Sequence, residues 1–512
     1  MKPLRARWLG RVGYEEALAV QRALHGRSDD DYLLLLEHPA TYTLGKRADP
    51  AHVLVDPASV GARLIETDRG GDVTYHGPGQ LVGYPIGPLA TTPAGGRDVV
   101  AHVRRIEAAL IEALAEFGIG GERVDGRSGV WVGGEKIAAI GVRVARDRTM
   151  HGFALNVDPD LAMFGHIVPC GISDAGVTSM AAVLGAAPPA GEVRDAVVRA
   201  WSRARGALTV ERAEVSDARL VPGPGVGPGR RPEWMKVRAD LGTEYRRLKQ
   251  LVHEQELHTV CEEAGCPNIY ECWSQRTATF MILGDRCTRA CGFCLVDTRQ
   301  PFAIDPDEPA RVADAVASLG LAHAVVTSVA RDDVPDGGAA GFAATIAAIR
   351  RRNPETTIEV LIPDCKGDAG ALDVIFGARP DVLNHNLETV ARLQRLARPS
   401  AGYARSLSVL ARAKDAGLVV KSGIMLGLGE DTAEVRAAIA DLRNVGVDIL
   451  TLGQYLRPSP AHLPVARWVT PAEFTELGEY ARGLGFAHVE SGPLVRSSYH
   501  ARDGAEVAMV PA

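Results

Sequence analysis

Nowhere in its 512 residues does the chain run roughly eighteen apolar residues together, the length that a membrane-crossing helix requires. The N-terminus, Met-Lys-Pro-Leu-Arg-Ala-Arg-Trp, lacks an apolar core for secretion. A formal charge of only −6 gives no electrostatic reason to expect nucleic acid or an anionic membrane as partner. Cysteine is scarce as well. Eight are too few for a disulfide scaffold of this size, and six of them lie between Cys261 and Cys294. That clustering points to a reduced compartment and to metal ligation, so a cytoplasmic protein is expected. What remains, 46% apolar and 23% charged residues, is ordinary for a soluble globular chain of two or three domains.

Chemistry concentrates in Phe280 to Cys294. Cys287, Cys291 and Cys294 form C-x3-C-x2-C directly after an apolar run, Thr279 to Leu283, that reads as a buried strand. Three thiolates in one loop can hold three irons of a cubane cluster and leave the fourth open to a small molecule. Zinc prefers a closed set of four protein ligands, and no second Cys pair follows here. Cysteines this close also pair poorly as disulfides. A second triplet, Cys261, Cys266 and Cys272, has C-x4-C-x5-C spacing and likewise lacks a local fourth ligand, so two clusters fit better than zinc sites.

Taken in order, residues 1 to about 215 mix helices and short strands without a steady βα rhythm. Apolar residues from Val99 to Phe117 recur at helical spacing, Tyr32 to Leu36 reads as a strand, and Gly129 to Val144 is strand-like around Gly133-Gly134. An α+β domain on a mixed or antiparallel sheet is expected. Leu220 to Pro232 is too rich in Pro and Gly for regular structure and marks a linker. Beyond it, strands expected at 279–283, 323–328, 357–362, 381–384, 419–422 and 448–452 alternate with helices at 308–319, 338–352, 402–416 and 431–444. Six parallel strands in this rhythm make a partial or full β/α barrel, whose chemistry sits at the C-terminal strand ends, where Cys287 to Cys294 fall.

In the first half Cys170 is the only cysteine. A lone cysteine is by default a small core residue, but Pro169 and Gly171 place this one in a turn. As a nucleophile it would need a neighbouring cation, because a free thiol is barely ionised at neutral pH. Lys136, in Gly133 to Gly141, is a candidate, and it could equally be a solvated strand lysine. The residues alone leave both readings open.

The letters around these positions resemble two known families. Arg69-Gly-Gly-Asp-Val-Thr-Tyr-His-Gly-Pro-Gly-Gln80, Gly134-Glu-Lys-Ile-Ala138 and Pro169-Cys-Gly-Ile172, in that order, are similar to lipoyl(octanoyl) transferases, the lipoate-protein ligase B type. The resemblance implies a biotin/lipoate ligase-like fold and an octanoyl thioester on Cys170. It further implies that Lys136 lowers the thiol's pKa and shuttles protons. Arg69, Gly70, Gly71, Asp72, Val73, Thr74, Tyr75, His76, Ala139, Ile140, Gly141, Gly152, Phe153 and Ala154 would then bind the acyl substrate, with His76 and His151 flanking the site.

The cysteine loop resembles the radical S-adenosylmethionine superfamily, and the double triplet resembles lipoyl synthase within it. So do Val326 to Asp333, Pro380 to Asn386, Lys421 to Glu430, Gly453 to Ser459 and Arg496 to His500. Two [4Fe-4S] clusters and S-adenosylmethionine are implied as cofactors. Cys287, Cys291 and Cys294 would hold the cluster that binds S-adenosylmethionine. Cys261, Cys266 and Cys272, with Ser498 as fourth ligand, would hold a second cluster that donates sulfur at C6 and C8 of the octanoyl chain. One departure is Cys365, which stands where the resemblance leads one to expect an aromatic and reads as a core thiol.

The expected whole is two domains joined by a linker. An N-terminal α+β biotin/lipoate ligase-like domain covers 1–215, the Pro/Gly-rich linker 216–232, and a C-terminal α/β radical S-adenosylmethionine partial (β/α)6 barrel 233–512. Expected partners are octanoyl-acyl carrier protein, lipoyl-domain proteins (2-oxoacid dehydrogenase E2 subunits and the glycine cleavage H protein) and an electron donor, with neither nucleic acid nor membrane. The rivals are an ATP-dependent lipoate or biotin ligase, or a docking module, for the first half. For the second, the rival is an iron–sulfur scaffold or electron carrier.

Overall fold

A computed structural model of the chain describes residues 3–89, 98–169, 175–216, 229–236, 242, 246, 249–250, 257–259, 268–269 and 277–509. Cys170, Cys261, Cys266, Cys272 and most of the linker lie outside the described residues. The chain divides into two compact units, Met1–Glu214 and Val215–Ala512.

The described residues of the first unit form the strands β1 (Leu4–Arg11), β2 (Asp31–Glu37), β3 (Thr41–Leu44), β4 (Arg63–Glu66), β5 (Val73–His76), β6 (Gln80–Ile86), β7 (Glu122–Val124), β8 (Arg127–Val132), β9 (Glu135–Ala145), β10 (Arg148–Asn156) and β11 (Val210–Glu214). Eight of these form a mixed sheet in the order β11-β1-β2-β6-β10-β9-β8-β7, and β4-β3-β5 form a smaller one. The strand-like run at 129–144 is a hairpin, β8 to β9. Its two-residue turn, Gly133-Gly134, has positive φ at both positions, which a tight hairpin needs and glycine supplies without steric cost. The helix Val99–Ala115 starts where the Asp98 side chain accepts the Ala101 N–H at 2.8 Å, a cap worth about 1 kcal/mol. Its face of Ile106, Ala109, Leu110, Ala113 and Leu114 packs with Val193, Val197 and Trp201 of the helix Ala190–Arg205 in one core with Leu33, Leu35, Leu81 and Leu155 of the sheet.

The second unit is a β/α sheet of β12 (His258–Thr259), β13 (Thr277–Ile282), β14 (His323–Ser328), β15 (Thr357–Leu361), β16 (Val382–Asn384), β17 (Val419–Leu426), β18 (Ile449–Gln454) and β19 (His488–Ser491), paired in that order. β13 to β19 run parallel, and β12 pairs antiparallel with β13 at the edge. Among the described residues there are therefore seven parallel strands where the sequence pattern gives six. The added β19, His-Val-Glu-Ser, is short, polar and half-buried, with no apolar run to announce it. The helices at 308–319, 339–352, 403–415 and 432–445 fall where the periodicity puts them. Asp431 and Glu434 form a capping box at the start of the last, and Gly446 ends it. The helix Ala501–Met509 packs Ala505 against Val382 and Ile449, the first residues of β16 and β18. It covers the strand starts, leaving the strand ends for chemistry.

Candidate functional sites

In the first unit the pairing of β9 with β10 brings two expected segments face to face. Ala139, Ile140 and Gly141 lie opposite Ala154, Phe153 and Gly152. The segment 69–76 crosses this pair, with the Gly70 N–H donating to Val142 O at 3.1 Å. All three segments line one cavity of about 470 Å³, together with Lys136, Tyr14, Tyr84, His151 and Arg47. The approach is close enough to exclude side chains. A Cβ on Gly141 would lie 2.9 Å from Gly70 O, and one on Gly152 would run into Gly83 O.

Two expected residues do not face this cavity. Val73 and Tyr75 lie on β5, where alternate side chains point to opposite faces, and they pack with Tyr42, Leu44, Phe164 and Ile167. Thr74 and His76, on the other face, line the cavity. Arg69 is buried and donates from Nη2 to Thr43 O at 2.6 Å and Thr43 Oγ1 at 2.9 Å. Asp72 accepts from His52 Nδ1 at 2.5 Å at the cavity rim.

The histidines are held neutral. Burial pushes His76 well below the usual imidazole value, aided by His38 and Arg69, and its Nδ1 donates to Gln80 Oε1 at 2.8 Å. Burial lowers His151 to about 3, with Arg69 and Arg143 acting in the same direction. His151 has φ of +56° and donates from Nε2 to Asp68 Oδ1 at 2.7 Å, while its Nδ1 has no hydrogen-bond partner among the described residues. Asp68 also pairs with Arg143. A non-glycine residue in this strained backbone region is commonly part of a site.

Lys136 is almost fully buried, and its side chain reaches the same cavity. Its N–H donates to Gly176 O at 2.9 Å and its carbonyl accepts from Thr178 N at 3.0 Å. Lys136 is thus stitched to the chain that follows 170–174. The chain that precedes them is pinned by the Val168 N–H on His52 O at 2.9 Å.

In the second unit, Cys287, Cys291 and Cys294 follow the C-terminal end of β13 and line a cavity of about 170 Å³. Cys287 Sγ accepts the Arg289 N–H at 3.4 Å and the Ala330 N–H at 3.3 Å. The Arg289 side chain anchors the loop, donating to Asp332 at 2.7 and 2.9 Å and pairing with Asp364 at 2.7 Å. The Gly292 N–H is held by Ala397 O at 2.9 Å, and the Cys294 carbonyl lies 2.8 Å from His462 Nε2. Burial pushes the Cys291 thiol up to about 12, against a lowering by Arg398, and burial raises Cys294 too. Both shifts favour the neutral thiol, and a bound metal would favour the thiolate instead.

Among the described residues no three His, Cys, Asp or Glu side chains converge as on a single metal ion. Three cysteines that each bind a different iron of a cubane need not do so. The cavity also holds Ser328 Oγ and Asn386 Oδ1, both buried without partners among the described residues, and the side chains of Glu388 and Arg398. Burial raises the Glu388 carboxyl, and the residue sits at φ +69°. None of Ser328, Asn386, Glu388 and Arg398 was visible as a site residue from local spacing. Ser328 ends β14, and Asn386, Glu388 and Arg398 follow β16, so only the folding of the sheet brings them beside the cysteine loop after β13. The donor set fits an iron–sulfur cluster with a polar small molecule beside it.

Other expected positions resolve differently. Cys365 is buried apart from the triplet, its thiol raised to about 12 by burial, as a core thiol would be. Ser498 lies in a turn after Val495, half-buried. Asn268, between the second and third cysteines of the other triplet, donates from Nδ2 to Leu494 O at 2.7 Å, four residues before Ser498. No helix among the described residues is long and apolar enough to cross a membrane.

Comparison with known proteins agrees with this division. Residues 13–202 match the lipoyl protein ligase A/B catalytic domain. Residues 218–266 match the N-terminal domain of lipoyl synthases, and 281–442 match the radical SAM superfamily. The lipoyl synthase of Mycobacterium tuberculosis strain H37Rv is 58% identical over 272 residues, which cover 53% of this chain and 88% of that protein. That of Mycobacterium avium strain 104 is also 58% identical, over 89% of its length. A bipartite lipoate protein ligase from Thermoplasma acidophilum matches 42% of this chain and 89% of its own at 18% identity and a TM-score of 0.36, too weak a likeness to argue from. Radical SAM lipoyl synthases use S-adenosylmethionine and two [4Fe-4S] clusters, and the cavity at Cys287, Cys291 and Cys294 suits one of them. The chain belongs to the lipoyl synthase family, with a lipoyl protein ligase A/B-type catalytic domain ahead of the synthase.

Proposed function

We propose that the chain carries out two successive steps of protein lipoylation in the cytoplasm. The first unit takes an octanoyl group from octanoyl-acyl carrier protein as a thioester on Cys170. It then passes the group to a lysine of a lipoyl-domain protein, such as a 2-oxoacid dehydrogenase E2 subunit or the glycine cleavage H protein. The second unit inserts sulfur at C6 and C8 of the attached chain. The observation that carries this reading is the meeting of 69–72, Thr74, His76, 139–141 and 152–154 around one cavity that Lys136 also reaches.

In the transfer step Lys136 supplies the cation that favours the Cys170 thiolate, and the pairing of its backbone with 176–178 supports their proximity. The thiolate attacks the carrier thioester, the carrier thiol leaves, and the amine of the target lysine later displaces Cys170 to give an amide. The glycines at 70, 141 and 152 keep the groove narrow enough for an acyl chain, and neutral His76 presents its second ring nitrogen without adding charge.

In the insertion step Cys287, Cys291 and Cys294 would hold one cluster. Cys261, Cys266, Cys272 and Ser498 would hold the other, a reading the Asn268 bond to Leu494 supports. When bound, the first cluster and S-adenosylmethionine supply hydrogen abstraction after reduction by an electron donor, and the second cluster supplies sulfur. Arg398 and Glu388 offer a donor and an acceptor to the carboxylate and ammonium of an amino acid, and Ser328 and Asn386 offer further polar contacts.

The test is mass spectrometry of an apo lipoyl domain incubated with the reconstituted chain, octanoyl-acyl carrier protein, S-adenosylmethionine and reductant. Octanoyl adducts should form first and convert to lipoyl. Octanoylation that requires free octanoate and ATP would replace the first half of this reading with a ligase.

A further inference from the structure

Lys136 is the direct cross-strand partner of Trp131, and its Nζ lies 4.8 Å from the centre of the indole ring. The ring is 1% exposed, and its own N–H has no hydrogen-bond partner among the described residues. A buried unsatisfied donor costs free energy and calls for a reason. Lys136 Nζ likewise has no hydrogen-bond partner among the described residues, so the ring face is its principal contact.

The surroundings hold this geometry from three sides. The β8–β9 pairing shifts register between Val130 and Trp131. Next to the shift, Gly129 has φ of +122°, and a Cβ there would lie 3.5 Å from Lys136 Cε while pressing on Ala138 O. Glycine is needed there for the backbone conformation and for the close Ala138 carbonyl, and the lysine stem runs past it at van der Waals distance. Glu107, fully buried on the helix 99–115, accepts the Gly129 N–H at 3.2 Å, and it also takes Arg104 at 2.9 Å and Arg123 at 3.1 Å. The Lys136 backbone is fixed by Gly176 and Thr178.

Aromatic packing under a lysine stem is often packing alone. Here the charged Nζ itself lies 4.8 Å from the ring centre, with the Arg127 guanidinium 5.8 Å from the same ring. We propose that Trp131 is a positioning residue for acyl transfer, its ring face holding the Lys136 ammonium at the place where it activates Cys170. This rests on the reading of Lys136 and Cys170 given above.

The test uses the full reconstituted chain with Trp131 replaced by Phe, by Leu, and by tryptophans carrying one to three ring fluorines. The fluorines keep the shape and withdraw electrons from the ring face, so the chain folds even if Trp131→Leu does not. The readout is the pH dependence of iodoacetamide labelling at the Cys170 peptide, with Lys136→Ala alongside. Labelling at neutral pH should slow stepwise along the fluorine series, by roughly tenfold at its end. Trp131→Phe should fall within that range, and Trp131→Leu should approach Lys136→Ala. If Lys136→Ala slows labelling while the fluorinated chains label at the wild-type rate, the role of the ring is overturned. If Lys136→Ala itself changes nothing, the activation of Cys170 by Lys136 fails, and this inference fails with it.

Discussion

Asn268 donates its side-chain amide to the carbonyl oxygen of Leu494 at 2.7 Å, across 226 residues of sequence. The bond ties a described position within the second cysteine triplet to the loop that carries Ser498. Asn268→Ala should leave that carbonyl without its partner and loosen the loop. Iron content should fall by one cluster's share while S-adenosylmethionine cleavage persists. Ser498→Cys should keep the iron yet slow sulfur insertion, because a thiolate releases iron less readily than a serine oxygen. Full lipoyl output from the Cys chain would count against a labile oxygen ligand.

The two triplets should separate by function. Cys287→Ala should abolish S-adenosylmethionine cleavage by removing one ligand of the proposed cluster, a sulfur that the Arg289 and Ala330 N–H groups hold in place. Cys261→Ala should retain cleavage and give no lipoyl product. Chromatographic assay of 5′-deoxyadenosine, beside mass spectrometry of the lipoyl domain, reads both.

Gly152→Ala should damage the first unit selectively. Its Cβ would press into Gly83 O and the Pro85 ring, forcing β10 away from β6. A cost of about 3 kcal/mol is expected from such overpacking. Octanoylation should be lost with sulfur insertion on a pre-octanoylated domain intact, which a two-substrate assay would resolve.

Acid should weaken the first unit through its buried histidines. Burial lowers His38 and His102 to about 4 and His151 to about 3, from an ordinary value of 6.5, and holds His76 well below it. The folded state then binds fewer protons than the unfolded one, so stability rises with pH in this window. The contribution is complete above pH 6.5 and is lost as pH falls towards each folded value, at about 1.4 kcal/mol per group per pH unit. Calorimetry at pH 7.5, 6.5 and 5.5 should show it. His102, with neither ring nitrogen bonded among the described residues, gives the control. His102→Leu should raise stability by about 1 kcal/mol and flatten the acid slope.

Local order was legible because it repeats. Apolar runs and helical periodicity placed β13 to β18 and the helices at 308–319, 339–352, 403–415 and 432–445 to within a few residues, but not the helix Ala369–Gly377 between β15 and β16. β19 escaped, being four residues with only one apolar side chain, His-Val-Glu-Ser. The cysteine triplets were legible for a similar reason. Their spacing is a property of a short stretch of sequence, and it is read without knowing what surrounds it.

What the sequence alone determined about this protein is therefore its two-part organisation, its strand rhythm and the position of its thiols. Tertiary structure decided which residues of each motif reach the site. The pleat of β5 sends Thr74 and His76 to the cavity and Val73 and Tyr75 to the core, and the register of β9 against β10 sets 139–141 opposite 152–154. It likewise put Trp131 beneath Lys136, and gathered Ser328, Glu388 and Arg398 beside Cys291. These are contacts between segments far apart in sequence. Their geometry depends on strand order and register, and a shift of one residue would turn every side chain to the opposite face.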